Sequence, residues 1–276
     1  IEEEHAFALE LAAAEVPVVA PLLIGGRTLH EHGGFLFSVT PRRGGRAPEL
    51  DDGDTLEWIG RFLARLHTVG ARRPFANRPA VDVASYAIEP RQWLLAHGAL
   101  PLEAERGWAE ASQDAIELIA AGAQWAGARA EIEPDPAGLA TLRLHADCHV
   151  GNILWTPADR PGGGPHFVDL DDCRGGPAVQ DLWMLLAGER AECQRQLGAL
   201  LDGYEQVRDF DRRELALIEP LRTLRLIHHS AWIARRWDDP AFPAAFTGFG
   251  TPDYWRGQTQ LLREQIDAMA APPLVA

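Results

Sequence analysis

Apolar positions between residues 55 and 68 follow the period of an α-helix. They recur at steps of three and four residues, as Leu56, Ile59, Leu63 and Leu66. This spacing places the apolar side chains on one face, which is typical of a helix that packs on a core. We therefore predict a helix over residues 55–68, with Asp54 or Thr55 as its N-cap.

Patterns of the same kind predict further helices, over residues 2–14, 82–97, 101–126, 190–207, 211–237 and 253–270. Pro220 lies within the segment 211–237. Because proline has no N–H to donate, we expect it to kink or split that helix. The chain after Pro177 is therefore predicted to be almost entirely helical.

Short apolar runs bounded by glycine or proline predict strands. The runs Val16–Ile24 and Phe35–Val39 predict two antiparallel strands joined by turns. Further along, LRLHA at residues 142–146 predicts one strand. The runs ILW at residues 153–155 and HFVDL at residues 166–170 predict a hairpin.

The composition is that of a globular chain with one candidate domain boundary. Of the 276 residues, 46% are apolar and 24% are charged, which is enough to bury a sizeable core. The segment PRRGGRAPELDDGD, at residues 41–54, is rich in glycine, proline and charge, as linkers are. We predict one domain over residues 1–45 and a second over residues 46–276.

Charge and cysteine content narrow the class of protein. No run of roughly eighteen apolar residues occurs, and the start IEEEHAFALE is acidic, so we expect neither membrane association nor secretion. The three cysteines form no CxxC pair, which favours reduced thiols and a cytoplasmic protein. A net charge of −14 argues against nucleic-acid binding, which needs clustered cations.

Three polar residues follow predicted strands in LRLHADCHVGNILW and HFVDLDD. Asp147 follows the first strand, Gly151 allows a tight turn before Asn152, and Asp169 lies at the end of an apolar run. Each alone is an ordinary turn residue. Together, Asp147 can orient a hydroxyl for attack, and Asn152 and Asp169 can supply oxygen ligands to Mg²⁺ that bridges nucleotide phosphates. The cluster predicts magnesium-dependent phosphoryl transfer.

A transition-metal site is the alternative for the same segment. His145, Asp147 and His149 alternate, and on a strand they would face one side and chelate a metal ion. That arrangement would favour a metal-dependent hydrolase. It is weakened because Val150–Asn152 leave the strand, and because the apolar setting of His145 favours a packed, hydrogen-bonded strut that supports the loop.

The stretches HADCHVGN and VDLDD, followed by Asp181 in QDLWMLL, resemble the catalytic core of the aminoglycoside phosphotransferase and choline kinase superfamily. The resemblance implies an α+β, protein-kinase-like fold of two lobes. It also implies that Asp147 is the catalytic base, that Asn152 and Asp169 hold Mg²⁺, with Asp169 also catalytic, and that Asp181 supports the loop. Since Asp181 lies on the apolar face of its helix, the loop amides are its natural hydrogen-bond donors.

The resemblance further implies that ATP is the co-substrate, but the chain departs from the superfamily in the region that would bind it. Those kinases pair a strand lysine with a helix glutamate, whereas all 26 basic residues here are arginine. Glu4 resembles that glutamate, so its lysine is expected upstream of Ile1. Residues 1–45 would then be the remnant of a truncated nucleotide-binding lobe, with adenine against the backbone near Val39, Thr40 and Arg42. An inactive scaffold is the alternative for such a chain.

The expected acceptor is a Ser/Thr hydroxyl of a protein. Within the superfamily, four stretches of this chain are similar to bacterial Ser/Thr protein kinases: LHADCHVGNILW, FVDLDDCRGGPAVQDLWMLL, IEPLR and AWIARRWDDPAFP. The alternative is a small hydroxyl-bearing acceptor of the aminoglycoside, choline or homoserine-like kind. Asp238 and Asp239 can attract such a cation, although they are equally explained as solvated charges.

Overall fold

The structure of this protein is a computed structural model that describes residues 1–122, 138–157 and 159–276. The chain forms two compact units. The first comprises Ile1–Pro79, Ala140–Arg212 and Leu274–Ala276, and the second comprises Ala80–Leu139 and Arg213–Pro273. A domain boundary between residues 45 and 46 stays a prediction.

Helices predominate in the described residues, and strands occur there only in the first unit. The helices are α1 (Glu2–Ala13), α2 (Gly53–Gly70), α3 (Glu89–Ala96), α4 (Leu102–Ala121), α5 (Gln180–Trp183), α6 (Arg190–Tyr204), α7 (Ile218–Arg235), α8 (Ala241–Ala245) and α9 (Pro252–Ala270). The strands are β1 (His30–His32), β2 (Phe35–Phe37), β3 (Leu142–Leu144), β4 (Ile153–Thr156), β5 (Gly164–Phe167) and β6 (Arg174–Gly176). The predicted α+β class with a mainly helical C-terminal part is confirmed.

The strands form three antiparallel pairs, β1 with β2, β3 with β6 and β4 with β5. The predicted hairpin is confirmed as β4–β5, in which Ile153 pairs with Phe167 and Thr156 pairs with Gly164. This register places Asn152 and Val168 side by side at the end of the hairpin, where the Val168 amide donates to the Asn152 carbonyl at 3.0 Å.

The predicted strand at Val16–Ile24 is wrong. Pro17 and Pro21 deprive the segment of two N–H donors, and its β-bridges are isolated ones, of Val18 to Phe167 and of Ile24 to Arg27. The strand that pairs with β2 is β1, across a two-residue turn at Gly33 and Gly34. Both glycines have positive φ, 59° and 82°, which is what a tight hairpin turn of this length requires.

Helices α2 and α6 approach each other closely in the first unit. A Cβ on Gly60 of α2 would lie 1.9 Å from the Leu200 carbonyl oxygen, and one on Gly203 of α6 would lie 1.9 Å from the Glu57 carbonyl oxygen. The absence of a side chain therefore lets the two backbones meet. The helix over residues 55–68 is confirmed as α2, but the predicted cap is wrong, because Asp52 caps the Asp54 amide at 3.1 Å.

The described part of the second unit is helical, around a core that contains Trp108 and Trp255, whose ring centroids lie 5.4 Å apart. The predicted helix over 82–97 opens with a π turn, Ala84–Ile88, before α3. The predicted helix over 101–126 is observed as α4, which ends at Ala121. Residues 123–126 of that prediction lie outside the described residues. The helix over 211–237 is split, since a 3₁₀ turn, Arg212–Leu217, precedes α7. Among the described helices, none has both the length and the apolarity of a membrane span.

Candidate active site

The loop after β3 is held by hydrogen bonds to the carboxylate of Asp181, which is fully buried at the start of α5. Its Oδ2 accepts the amide N–H of His145 at 2.9 Å, and its Oδ1 accepts that of Ala146 at 2.7 Å. Ala146 has a φ of 67°, which is strained for a residue with a side chain. The two charge-assisted hydrogen bonds offset that strain and turn the chain out of β3.

Further buried groups hold Asp181 and the loop from neighbouring elements. His67 of α2 places Nε2 at 3.0 Å from Asp181 Oδ2 and Nδ1 at 2.9 Å from the Tyr204 hydroxyl. Gln180 Nε2 donates to the Ala146 carbonyl at 2.8 Å, and Gln180 Oε1 accepts from Trp183 Nε1 at 3.0 Å. Both the N–H and the C=O of Ala146 are therefore bound by side chains of α5.

Asp147 and Asn152 are brought into contact by this loop. Asn152 Nδ2 donates to the Asp147 carbonyl at 3.0 Å and lies 3.3 Å from Asp147 Oδ2. Its amide hydrogens are thus directed at Asp147, which leaves its Oδ1 as an oxygen ligand. His149 Nε2 lies 3.5 Å from Asp147 Oδ2, and His149 Nδ1 accepts the Gly151 amide, so the ring proton is on the nitrogen that faces Asp147.

Asp169 lies beside this pair, one residue after the hairpin contact between Val168 and Asn152. His145 Nε2 donates to the Val168 carbonyl at 2.8 Å and so links the loop to the segment that carries Asp169. Asp169 itself has a φ of 63°, a left-handed conformation that ends the β5 run before HFVDL is complete. The structure therefore brings Asp147 into contact with Asn152, and it places Asp169 directly after Val168, whose backbone binds Asn152 and His145.

Carboxylates crowd the turn that follows Asp169. Burial, followed by repulsion from Asp169 and Asp172, raises the pKa of Asp171 to about 7. The Asp169 side chain also hydrogen-bonds that of Asp171. The turn after Asp169 is therefore strongly acidic.

A cavity of about 510 Å³ opens next to these residues, within the first unit. Its lining includes four residues predicted from the sequence, namely Glu4, Thr40, Arg42 and Asp169. Val39, which was also predicted, is not among the lining residues, and its carbonyl accepts the Leu22 amide at 2.8 Å. Arg43 also lines the cavity and donates to the Gly162 carbonyl at 3.0 Å. The volume of the cavity is in the range of small-molecule binding sites.

The acidic start of α1 is held by the segment that follows α2. Glu4 Oε2 lies 3.3 Å from Arg78 NH1. Glu3 accepts the amides of Ala76, Asn77 and Arg78 at 2.6, 2.9 and 3.0 Å. Burial alone would raise the pKa of Glu3, but these hydrogen bonds outweigh it and hold that pKa below its usual range. Glu4 therefore has an arginine partner downstream in the chain.

The transition-metal alternative is not formed. His145, Asp147 and His149 do not share a strand face, because β3 ends at Leu144 and Ala146 turns the chain. The His145 ring is fully buried, with its Nε2 on the Val168 carbonyl. Within the described ranges, no group of three or more His, Cys, Asp or Glu side chains is placed to hold a metal ion.

Sequence reasoning missed Arg78, His67, Gln180 and Arg143. His67 lies four residues after Leu63 on the core face of α2, so a polar residue at a core position could have indicated its role. Arg143 lies between two leucines in a predicted apolar strand, so a charged residue at that position could have indicated a structural role. In the structure it is only 2% exposed. Arg78 belongs to a segment without periodicity, and no local pattern indicates its contacts.

The fold and this loop define a phosphotransferase. The chain belongs to the phosphotransferase enzyme family, whose model matches residues 1–218. Within that family it is similar to the Serine/threonine protein kinase RdoA of Salmonella typhimurium, with 45% identity over 274 residues that cover 99% of this chain and 78% of the relative. It is 44% identical to Stress response kinase A of Escherichia coli, with the same coverage.

A solved structure shares the fold at low sequence identity. It is an amicoumacin kinase in complex with AMP-PNP, Ca²⁺ and Ami, with a TM-score of 0.68 and 18% identity. The match covers 99% of this chain and 78% of that one. The shared fold confirms the predicted kinase-like fold, and the family together with the curated relatives makes the protein an enzyme of the kinase type.

Proposed function

We propose that this protein transfers the γ-phosphoryl group of ATP, with Mg²⁺, to a Ser/Thr hydroxyl of a protein acceptor. The observation that carries the proposal is the contact of Asp147 with Asn152, on a loop suspended from Asp181 and beside Asp169. A carboxylate, an amide oxygen and a second carboxylate are the groups that phosphoryl transfer requires, and Asp169 also lines the cavity. Relatives named as Ser/Thr kinases favour a protein acceptor.

In this proposal, Asp147 orients the acceptor hydroxyl and accepts its proton as the oxygen attacks phosphorus. His149 Nε2, 3.5 Å from Asp147 Oδ2, is the imidazole nitrogen that faces this carboxylate. Asp181 and His145 keep the loop in place, so that Asp147 needs no rearrangement before the reaction.

Asn152 Oδ1 and the Asp169 carboxylate would hold Mg²⁺. The donor set fits this ion, because Mg²⁺ prefers oxygen ligands and is usually bound by one or two protein groups together with substrate phosphates and water. A cage of three protein carboxylates is not needed. When bound, Mg²⁺ supplies neutralisation of the charge on the phosphate oxygens.

The cavity beside Asp169 is the proposed nucleotide site. Adenine would contact the backbone near Val39, Thr40 and Arg42, and residues 1–45 would form part of a nucleotide-binding lobe. The solved amicoumacin kinase of the same fold contains AMP-PNP and Ca²⁺. Glu4, which lines the same cavity, is proposed to face the phosphate side.

The acceptor class is tested with γ-labelled ATP and Mg²⁺. The protein is incubated with a generic protein substrate or with a panel of an aminoglycoside, choline and homoserine. The proposal predicts label on protein Ser or Thr. Label on a small molecule alone would replace the protein acceptor by a small-molecule one, and no label on any acceptor, with no nucleotide binding, would overturn phosphoryl transfer by this chain.

The metal assignment predicts that Asp169→Ala abolishes Mg²⁺-dependent nucleotide binding and leaves the fold intact. The reason is that Asp169 supplies a charged ligand, whereas its side chain makes no capping hydrogen bond to the 3₁₀ turn Leu170–Asp172 that follows it. Calorimetric titration with ATP, with and without Mg²⁺, measures the binding, and thermal melting checks the fold. Nucleotide affinity equal to that of the wild type would exclude Asp169 as a ligand. Asp209→Asn, an exposed site, is the control.

A further inference from the structure

Arg78 joins the acidic end of α1 to the turn that follows Asp169. Its NH1 lies 3.3 Å from Glu4 Oε2, its Nε donates to the Cys173 carbonyl at 2.5 Å, and its NH2 donates to the Asp171 carbonyl. The Arg78 side chain is only 15% exposed and that of Glu4 only 17%. One guanidinium thus binds one carboxylate and two carbonyls from two separate elements.

The segment around Arg78 is itself fixed to α1. The three successive amides of residues 76–78 donate to the two carboxylate oxygens of Glu3. This arrangement fixes the backbone from which the Arg78 side chain extends. The position of the guanidinium is therefore set by the same helix whose Glu4 it binds.

Apolar packing joins the same two elements. Phe7, Ala8 and Leu11 of α1 form one buried cluster with Leu170 and Cys173. Leu170 directly follows Asp169, and the Cys173 carbonyl is one of the two that Arg78 binds. A shift of α1 would therefore be transmitted to the turn both by packing and by the Arg78 hydrogen bonds.

Charge explains why a cation is needed at this point. Arg78 lies between the Glu4 carboxylate and a turn that carries Asp169, Asp171 and Asp172 in sequence. Arg78 is the basic group that contacts both Glu4 and the turn in the described structure. Only arginine presents several donors in a rigid planar fork, so a lysine at this position cannot bind all three acceptors with the same geometry.

We infer that Arg78 is a positioning residue for the metal-binding turn, acting through the backbone of Asp171 and Cys173 and coupling it to Glu4 of α1. The inference rests on the proposed function, because the proposed function makes Asp169 a ligand of Mg²⁺. Arg78 touches neither the metal nor the nucleotide in this account. Its loss leaves the Asp171 and Cys173 carbonyls without their donor and Glu4 without its counter-charge, so the turn no longer holds Asp169 in its left-handed conformation.

The test compares Arg78→Lys and Arg78→Ala with Arg73→Ala, a control in the same segment whose side chain is 64% exposed and pairs with Glu10. We expect the apparent affinity for Mg²⁺ in the presence of ATP to fall about tenfold or more in Arg78→Ala and less in Arg78→Lys, as when other groups that orient metal ligands are removed. Arg73→Ala should leave it unchanged. The Mg²⁺ concentration that gives half of the maximal rate should change more than the rate at saturating Mg²⁺ does.

A second measurement is independent of nucleotide and metal. Hydrogen exchange of the amides of residues 170–173 should be faster in Arg78→Lys than in the wild type, and unchanged in Arg73→Ala. Arg78→Lys keeps the charge, so it provides the test even if Arg78→Ala does not fold. Suppose that the wild type binds Mg²⁺-ATP. If the Arg78 variants then show the same Mg²⁺ dependence as the wild type, or if exchange is unchanged in Arg78→Lys, the inference is overturned and the proposed function stays in place. A wild type that binds no Mg²⁺-ATP would instead overturn the proposed function, while faster exchange in Arg78→Lys would still support the role of Arg78 in ordering the turn.

Discussion

At the scale of single residues, the site depends on buried polar groups that compensate one another. Asp181 alone, fully buried, would cost several kcal/mol to remove from water. It is stabilised by two amides of the loop and by His67, and in return it holds Ala146 in a left-handed conformation. The strain at Ala146 and the desolvation of Asp181 are therefore offset by the same hydrogen bonds.

Asp181→Asn is predicted to lower the free energy of unfolding by about 3 kcal/mol, because an NH₂ group then faces an N–H donor in a fully buried site and leaves that donor without an acceptor. Urea denaturation followed by tryptophan fluorescence measures the change. Asp202→Asn, at an exposed position of α6, is the control and should change little. A loss no larger than that of the control would show that Asp181 does not support the loop.

At the scale of elements, close contacts and ion pairs set how helices meet each other and β3. Gly60 and Gly203 let α2 and α6 approach at backbone distance. Arg143 of β3 donates to the Val69 carbonyl at 3.0 Å, lies 4.5 Å from the Phe7 ring centroid, and pairs with Glu10 of α1 at 2.8 Å. It thereby links α1 and the end of α2 to the strand that leads into the loop.

Gly60→Ala and Gly203→Ala are each predicted to destabilise the protein by about 3 kcal/mol, because the new Cβ would overlap a carbonyl oxygen and force the helices apart. Gly198→Ala, in the same helix as Gly203, meets nothing within 4 Å. That control should be neutral or more stable by about 0.5–1 kcal/mol, since alanine favours the helix. Equal effects at Gly198 and Gly203 in thermal melting would contradict the close packing of α2 on α6.

The Glu10–Arg143 pair predicts a pH dependence. The hydrogen bond from Arg143, and then the charges of Arg143 and Arg73, hold the pKa of Glu10 below its ordinary value of 4.5. A lowered pKa means stability that is present above 4.5 and is lost as the pH falls through the folded-state pKa. Glu10→Gln should thus lower the free energy of unfolding by about 1.5 kcal/mol at neutral pH.

Denaturant titrations of the wild type and of Glu10→Gln across this pH range measure the effect. The difference between the two proteins should shrink as the pH falls below 4.5. A difference that stays constant with pH would show that Glu10 is not held by Arg143 as a charged group.

At the scale of the whole molecule, local patterns predicted what local forces decide. The helix over 55–68 and the β4–β5 hairpin were predicted because their periodicity and turns lie within a few residues. The prediction of a strand at Val16–Ile24 was wrong because it relied on the apolar content of the segment and did not give enough weight to its two prolines. The contacts of Arg78 with carbonyls 93 and 95 residues away could not be predicted, because no local pattern encodes such long-range hydrogen bonds.

The same distinction applies to the site. Asp147, Asn152 and Asp169 were predicted from their residue types at strand ends and from a resemblance to a known catalytic core, and in the structure Asp147 contacts Asn152 while Asp169 follows Val168, which binds Asn152. How the loop is held depends on His67 and Gln180, which come from different helices. In the structure Glu4 binds Arg78, a contact that the sequence did not indicate, while its pairing with a lysine stays a prediction. The residues that carry the chemistry are thus more visible in the sequence than the residues that position them.

The central claim is that Asp147 takes the acceptor proton on a loop where Asn152 and Asp169 hold Mg²⁺. Transfer of labelled γ-phosphate, measured together with Mg²⁺-ATP binding in the wild type and in Asp147→Asn, tests it most directly. The account predicts that Asp147→Asn binds Mg²⁺-ATP as the wild type does and transfers phosphate about a hundredfold to ten-thousandfold more slowly. Transfer at the wild-type rate in Asp147→Asn would contradict it.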